Sequence, residues 1–129
     1  MILGFKKQFE QPILDDIKIH SFRQDTHNRW KKGRSIQMAT GVRTKQFNCF
    51  KRDECKSVQE VHMSYAFGDI IEMTINGRYI NEFSEKEQIA KNDGFKNWEE
   101  FFDWFYPVIK NSEDEFYVGK IIHWTDKRY

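Results

Sequence analysis

The sequence predicts a single α+β domain, with about six strands and two or three helices in a barrel-like arrangement. Three observations predict it. Stretches alternating apolar and polar residues recur from the start of the chain to its end. Two helix-like segments follow one another between Ser84 and Pro107. An Asn-Gly pair at 76–77 joins two apolar runs, a strong short-range sign of a β-hairpin. At 129 residues, with no repeat, low-complexity tract or Ser/Gly-rich linker, the chain reads as one domain spanning 1–129.

Ile2 to Phe5 reads as an opening strand. Gln8 to Asp16 offers one to two helical turns, with Phe9, Ile13 and Leu14 near helical spacing. Pro12 requires that helix to begin near it or to kink. Ile17, Ile19 and Ser21 then alternate with Lys18, His20 and Phe22 in a strand-like period. Thr26 to Gly33 reads as a loop and Arg34 to Thr40 as a strand, whereas 41–55 mixes basic and aromatic residues without periodicity. Residues 57–67 alternate again, with Val58, Val61, Met63 and Tyr65 expected to point inward.

Ile70 to Ile75 and Arg78 to Ile80 flank Asn76-Gly77, which favours a type I′ turn. Ser84 and Glu87 have the spacing of a capping box, so a helix is expected to run from there to Asn92 and stop at Asp93-Gly94. Asn97 is the expected N-cap of a second helix, whose stripe of Trp98, Phe101, Phe102 and Phe105 ends at Pro107 and belongs in the core. Residues 116–124 close the chain as a strand.

Hydrophobic residues make up 39% and charged residues 32%, which argues for a filled core and against long disorder. No apolar run approaches the roughly 18 residues of a membrane span, and MILGFKKQFE lacks a signal-peptide layout. A cytoplasmic protein with no membrane partner is the expectation. The net charge of +1 is unevenly spread. Residues 1–60 hold 13 Lys and Arg against 7 Asp and Glu; residues 61–129 hold 8 against 13. Either the basic half presents a face to an anionic partner, or the two halves pair in the fold.

Cys49 and Cys55 are too far apart in sequence for the usual zinc pair, and no second pair follows. They read as free thiols on neighbouring strands. No metal site is expected, because no His-x-x-x-His or related spacing occurs, and neither a P-loop nor a dinucleotide fingerprint implies a cofactor.

The segment from Lys18 to Arg23 reads K-x-x-S-F-R. It resembles the Gly-x-Lys-x-x-Thr-Ile-Arg signature of the ASCH domain family, which has a PUA-like fold. AKNDGFKNWEEF is similar to that family's acidic, glycine and aromatic element, and GKIIHWTD to its closing strand. The resemblance runs from Leu3 to Asp126. It implies a PUA-like mixed β-barrel and a module that binds RNA or a modified nucleoside. Some members are small amidohydrolases that deacetylate N4-acetylcytidine with a Lys, a Thr and a Glu. These match Lys18, Ser21 and Asp93 here, and the signature Arg matches Arg23. Asp16-Ile17 stands where the family has Gly, Ser21 where it has Thr, and Asp93 where it has Glu.

A serine nucleophile needs a base beside it, and a lysine base needs its pKa lowered by burial or by a cation such as Arg23. On a plain strand Lys18 and Ser21 would point to opposite faces, so a bulge or turn must separate them. Taken singly, Lys18, Ser21 and Asp93 read equally as a solvated strand residue, a strand-edge hydroxyl and a helix-end residue. Beside them His27, Arg29, Trp30, Lys31, Lys32 and Arg34 form a basic run with one large ring, extended by Arg43, Lys45, Phe47, Lys51 and Arg52. Such a run suits nucleotide binding, phosphates on the cations and a base stacked on Trp30. The alternative is a solvated loop with Trp30 in the core. Exposed aromatics on the Trp98–Phe105 helix would instead mark a protein-interaction module.

Overall fold

The computed structural model describes residues 1–66 and 70–129. Strand β1 (Ile2–Phe5) leads through a 3₁₀ turn at Lys7–Phe9 into the short helix α1 (Glu10–Leu14). Strands β2 (His20–Arg23), β3 (Ser35–Thr40), β4 (Asn48–Glu54), β5 (Ser57–Ala66), β6 (Ile70–Ile75) and β7 (Arg78–Tyr79) follow. Helices α2 (Phe83–Asn92) and α3 (Trp98–Lys110) precede the final strand β8 (Tyr117–His123).

The domain is α+β, with eight strands in two sheets and three α-helices among the described residues. One sheet has the order β1-β3-β4, with β1 parallel to β3; the other, β2-β8-β5-β6-β7, is antiparallel throughout. The expected barrel does not close: among the described residues no ladder joins the sheets. The reason lies in the partners of the first two strands. β1 is taken by β3 and β2 by β8, so the chain changes sheet between them through α1. It changes back between β2 and β3, and once more where Cys55 N–H donates to Arg34 O and Lys56 N–H to His123 O.

Local chemistry explains most elements. Asn76 and Gly77 both take positive φ (49° and 78°), as a type I′ turn requires, and the 70–75 hairpin forms as expected. β6 buries Ile71, Met73 and Ile75 on one face. The expected strand at 57–67 forms as β5; its last position, Phe67, lies outside the described residues. Asn97 caps α3, its side chain accepting from Glu100 N–H at 2.9 Å. Of the expected stripe Phe101 and Phe105 are buried, with Ile109 one turn on, while Trp98 and Phe102 are half-buried against the core.

Several boundaries differ from expectation. α2 begins one residue before Ser84, with Glu82 at its N-cap and no side-chain cap. Glu87 is spent elsewhere, accepting from Trp98 N–H at 3.2 Å and bracing the start of α3. Pro107 does not end α3: Asn111 N–H still donates to Pro107 O at 3.0 Å, and Ile109 continues the buried stripe. Residues 41–55 contain β4, an edge strand without a fully buried face and hence without visible alternation. The free thiols Cys49 and Cys55 stand on β4 and just after it, rather than on neighbouring strands. Among the described residues no helix is long and apolar enough to cross a membrane.

Candidate functional site

Lys18 is not on a strand. It lies in the irregular link between α1 and β2, where Ile19 N–H donates to Asn92 O at 2.8 Å. That one backbone bond ties the link to the end of α2 and sets Lys18 beside Asp93, the C-cap of that helix. Lys18 Nζ donates to Asp93 Oδ1 and to Asp93 O, both at 2.7 Å. Each residue is only 3% exposed. Gly94 makes room for this crossing: a Cβ there would stand 3.0 Å from Lys18 Cδ and 3.2 Å from Phe9 Cδ1.

Ser21 and Arg23 are two apart on β2 and share a face, as strand alternation dictates. The irregular link removes the conflict that a continuous strand would impose on Lys18. Arg23 Nε donates to Ser21 Oγ at 3.1 Å and Nη2 to Gly4 O at 2.8 Å, while its guanidinium carbon lies 4.9 Å from the Phe5 ring centre.

Lys18, Ser21, Arg23 and Asp93 thus line one cavity of about 280 Å³. Phe9, Phe95 and Trp104 wall it, packed edge-on or tilted with ring centres 5.3 to 5.8 Å apart. Lys6 Nζ sits 5.2 Å over the Trp104 ring. Tyr117 of β8 completes the lining. Its ring is admitted by Gly119, where a Cβ would lie 2.7 Å from Tyr117 Cε1 and 2.6 Å from Arg23 O.

A second layer stands behind Asp93. His20 Nδ1 is 3.4 Å from Asp93 Oδ1, and His20 Nε2 is 2.5 Å from Tyr129 Oη. His123 Nε2 meets Gln59 Oε1 at 2.9 Å, and the Gln59 amide also holds the Tyr129 backbone. Both histidines are fully buried.

Burial drives the protonation of these groups. It lowers the Lys18 pKa, against the pull of the Asp93 charge, with Arg23 lowering it further. It lowers His20 as well, again opposed by Asp93. His123 is brought down to about 3 by burial, with small contributions from His20 and Arg128. The Tyr117 hydroxyl is pushed up by burial and stays a neutral donor.

Comparison with protein-family models, curated proteins and solved structures finds no match.

The rest of the expected nucleotide-binding set lies apart from the cavity. His27, Arg29, Lys31 and Lys32 are exposed on the loop after β2, as is Arg34, and none lines it. Trp30 offers no stacking face, being 6% exposed and part of the core. Asp25 fixes that orientation. Its carboxylate accepts Arg29 N–H at 2.8 Å and Trp30 N–H at 3.0 Å, while Lys120 Nζ donates to it at 2.9 Å. Burial alone would raise the Asp25 pKa, but these three donors hold it below the usual carboxylate range. Of the further basic run, Lys51 lies 3.7 Å from Asp53 and 3.8 Å from Asp16, and Arg43, Lys45 and Phe47 are exposed.

Lys6, Phe9, Trp104, Tyr117, His20 and Tyr129 belong to the site or its support without having been read from the sequence. Only His20, inside the K-x-x-S-F-R segment, carried a local signal. Among the described residues no group of three His, Cys, Asp or Glu side chains is placed to hold a metal.

Proposed function

We propose that this chain is an ASCH-type, PUA-like module that binds the base of a modified nucleoside or of RNA in the Lys18–Ser21–Arg23–Asp93 cavity. One observation carries the reading. Residues 75 positions apart meet as a buried ion pair on the wall of an open, aromatic-lined hollow, beside a serine and an arginine. Small-molecule sites have this composition, a largely apolar wall with a few converging polar groups. The resemblance around Lys18 to Arg23 supplies the ligand class. Titration with cytidine, N4-acetylcytidine and short single-stranded RNA, followed by Trp104 fluorescence, tests it. Saturable binding, lost in Trp104→Ala, is expected; RNA affinity should fall with salt if the exposed loop cations take part. No saturable change with any of the three ends the reading.

A second reading is amide hydrolysis, favoured by the Arg23–Ser21 hydrogen bond. Ser21 Oγ accepts there, so its own proton is free to leave. Burial lowers the proton affinity of Lys18, and passing one proton to Asp93 leaves a neutral amine. Lys18 Nζ bonds only Asp93 among the described residues, so in this reading the amine takes the Ser21 proton through an intervening water as Oγ bonds to the acyl carbon and the carbonyl π pair moves to oxygen. Collapse breaks the C–N bond, the proton passes to the departing amine, and water then cleaves the acyl-serine to acetate. Release of acetate from N4-acetylcytidine, abolished in Ser21→Ala, is the expected result. Absence of acetate from the unaltered protein removes the reading.

A further inference from the structure

The cavity's charges do not balance. Three cations line it, Lys6, Lys18 and Arg23, against the single carboxylate of Asp93. Asp93 is committed to Lys18 at 2.7 Å. Arg23 has no carboxylate within 4.0 Å among the described residues, although it is half-buried. Its Nε and Nη2 are spent on neutral oxygens, those of Ser21 and Gly4, and Nη1 has no hydrogen bond among the described residues. A guanidinium withdrawn from water in this way gains most from an anionic oxygen partner.

The neighbouring groups are donors too. Ser21 Oγ already accepts from Arg23, so its remaining hydrogen can be given. The Tyr117 hydroxyl is buried, neutral, and without a protein partner among the described residues. Guanidinium, hydroxyl and phenol therefore present hydrogens to one space, with Lys6 nearby and the Phe9–Phe95–Trp104 wall beside them.

We infer that the cavity takes a nucleoside monophosphate, its base on the aromatic wall and its phosphate monoester on Arg23, Ser21 and Tyr117. This rests on the base-binding reading above and narrows its ligand class. At about 280 Å³ the hollow lies just under the roughly 300–1,000 Å³ usual for ligand sites, which favours a single nucleotide over a chain.

Calorimetric titration at low salt with cytidine, cytidine monophosphate, inorganic phosphate and a short oligocytidylate tests it. The monophosphate is expected to bind at least about tenfold more tightly than cytidine, the size of one good charge-assisted contact. Arg23→Gln should remove that advantage, so that the variant binds cytidine and its monophosphate with equal affinity. Should Arg23→Gln not fold, Tyr117→Phe is expected to reduce the advantage several-fold. Equal affinity for cytidine and its monophosphate overturns the inference and leaves base binding standing. Inorganic phosphate binding as tightly as the monophosphate, and lost in Arg23→Gln, keeps the anion seat but overturns the base reading. Tighter binding of the oligocytidylate than of the monophosphate overturns the monoester. Binding of none of the four overturns both readings.

Discussion

His20 Nε2 and Tyr129 Oη lie 2.5 Å apart across 109 residues of chain, and a third side chain fixes the direction of their hydrogen bond. Asn92 Oδ1 accepts from Gln88 at 2.9 Å, so its Nδ2 faces Tyr129 Oη and donates to it at 2.8 Å. The phenol proton therefore goes to His20 Nε2. His20 must then carry its own hydrogen on Nδ1, the atom 3.4 Å from Asp93 Oδ1. Asp93 Oδ1 therefore has Lys18 Nζ hydrogen-bonded to it at 2.7 Å and the His20 Nδ1 hydrogen beside it, too poorly placed for a hydrogen bond.

Tyr129→Phe deletes the hydroxyl and leaves the buried His20 Nε2 without its partner and the half-buried Asn92 Nδ2 without its acceptor. A loss of about 1–3 kcal/mol in urea denaturation is expected, the cost of an orphaned buried polar group. The ring nitrogen shifts of His20 should at the same time move away from a single Nδ1–H tautomer. An unchanged tautomer would separate His20 from Tyr129.

The Lys18–Asp93 pair calls for a double-mutant cycle. Lys18→Met strands a buried carboxylate and is expected to lose about 3–5 kcal/mol. Loss of activity in a Lys18 variant is therefore no proof of catalysis, since stability falls with it. Lys18→Met combined with Asp93→Asn should lose well under the sum of the two single losses, with a coupling of about 1–3 kcal/mol in urea midpoints. Additive losses would mean that the two charges do not depend on each other.

These relationships were only partly legible in the sequence, for physical reasons. Asn76-Gly77, Asn97 and Asp93-Gly94 act through the backbone of their own turn, so residue type and spacing were enough. Lys18, Ser21 and Arg23 sit within six residues and were visible as a cluster. Their meeting with Asp93 depends on the Ile19–Asn92 backbone bond, which no local pattern encodes. Trp30 looked like a stacking face because its burial is decided by Asp25 and Lys120, the latter 90 residues further along the chain. β4 was missed because an edge strand with half-exposed faces shows no alternation. Ser84 and Glu87 have capping-box spacing, yet α2 starts at Phe83 and Glu87 accepts from Trp98 N–H instead.

Stability should depend on pH through the buried imidazoles. Both are held neutral by burial in the folded state, His123 with a pKa of about 3, whereas an unfolded histidine titrates near 6.5. Between those values the unfolded chain binds more protons, so stability rises with pH there. The contribution is complete above about pH 6.5 and is lost progressively as pH falls toward 3. Each histidine gives a slope of at most about 1.4 kcal/mol per pH unit. Urea midpoints measured from pH 8 to 5, above the main carboxylate range, should be flat at first and then fall. His123→Asn should make the fall shallower; a flat profile to pH 5 would mean that the imidazoles accept protons without unfolding.

Gly94→Ala tests the crossing that builds the site. Gly94 has φ +93°, a conformation that costs an L-residue about 1–2 kcal/mol. The added Cβ would also press on Lys18 Cδ at 3.0 Å, on Lys18 Cβ at 3.2 Å and on Phe9 Cδ1 at 3.2 Å. The far end of Lys18 can bend, but its Cβ and the Phe9 ring are held by the core. Gly77→Ala is the matched control, with φ +78° and nothing within 4 Å of the new methyl. Both substitutions should lower the urea midpoint through backbone strain. Gly94→Ala alone is expected to weaken ligand binding, by about tenfold, because it displaces the lysine that Asp93 holds at the cavity wall. Equal binding by the two variants would mean that the position of Lys18 does not govern the site.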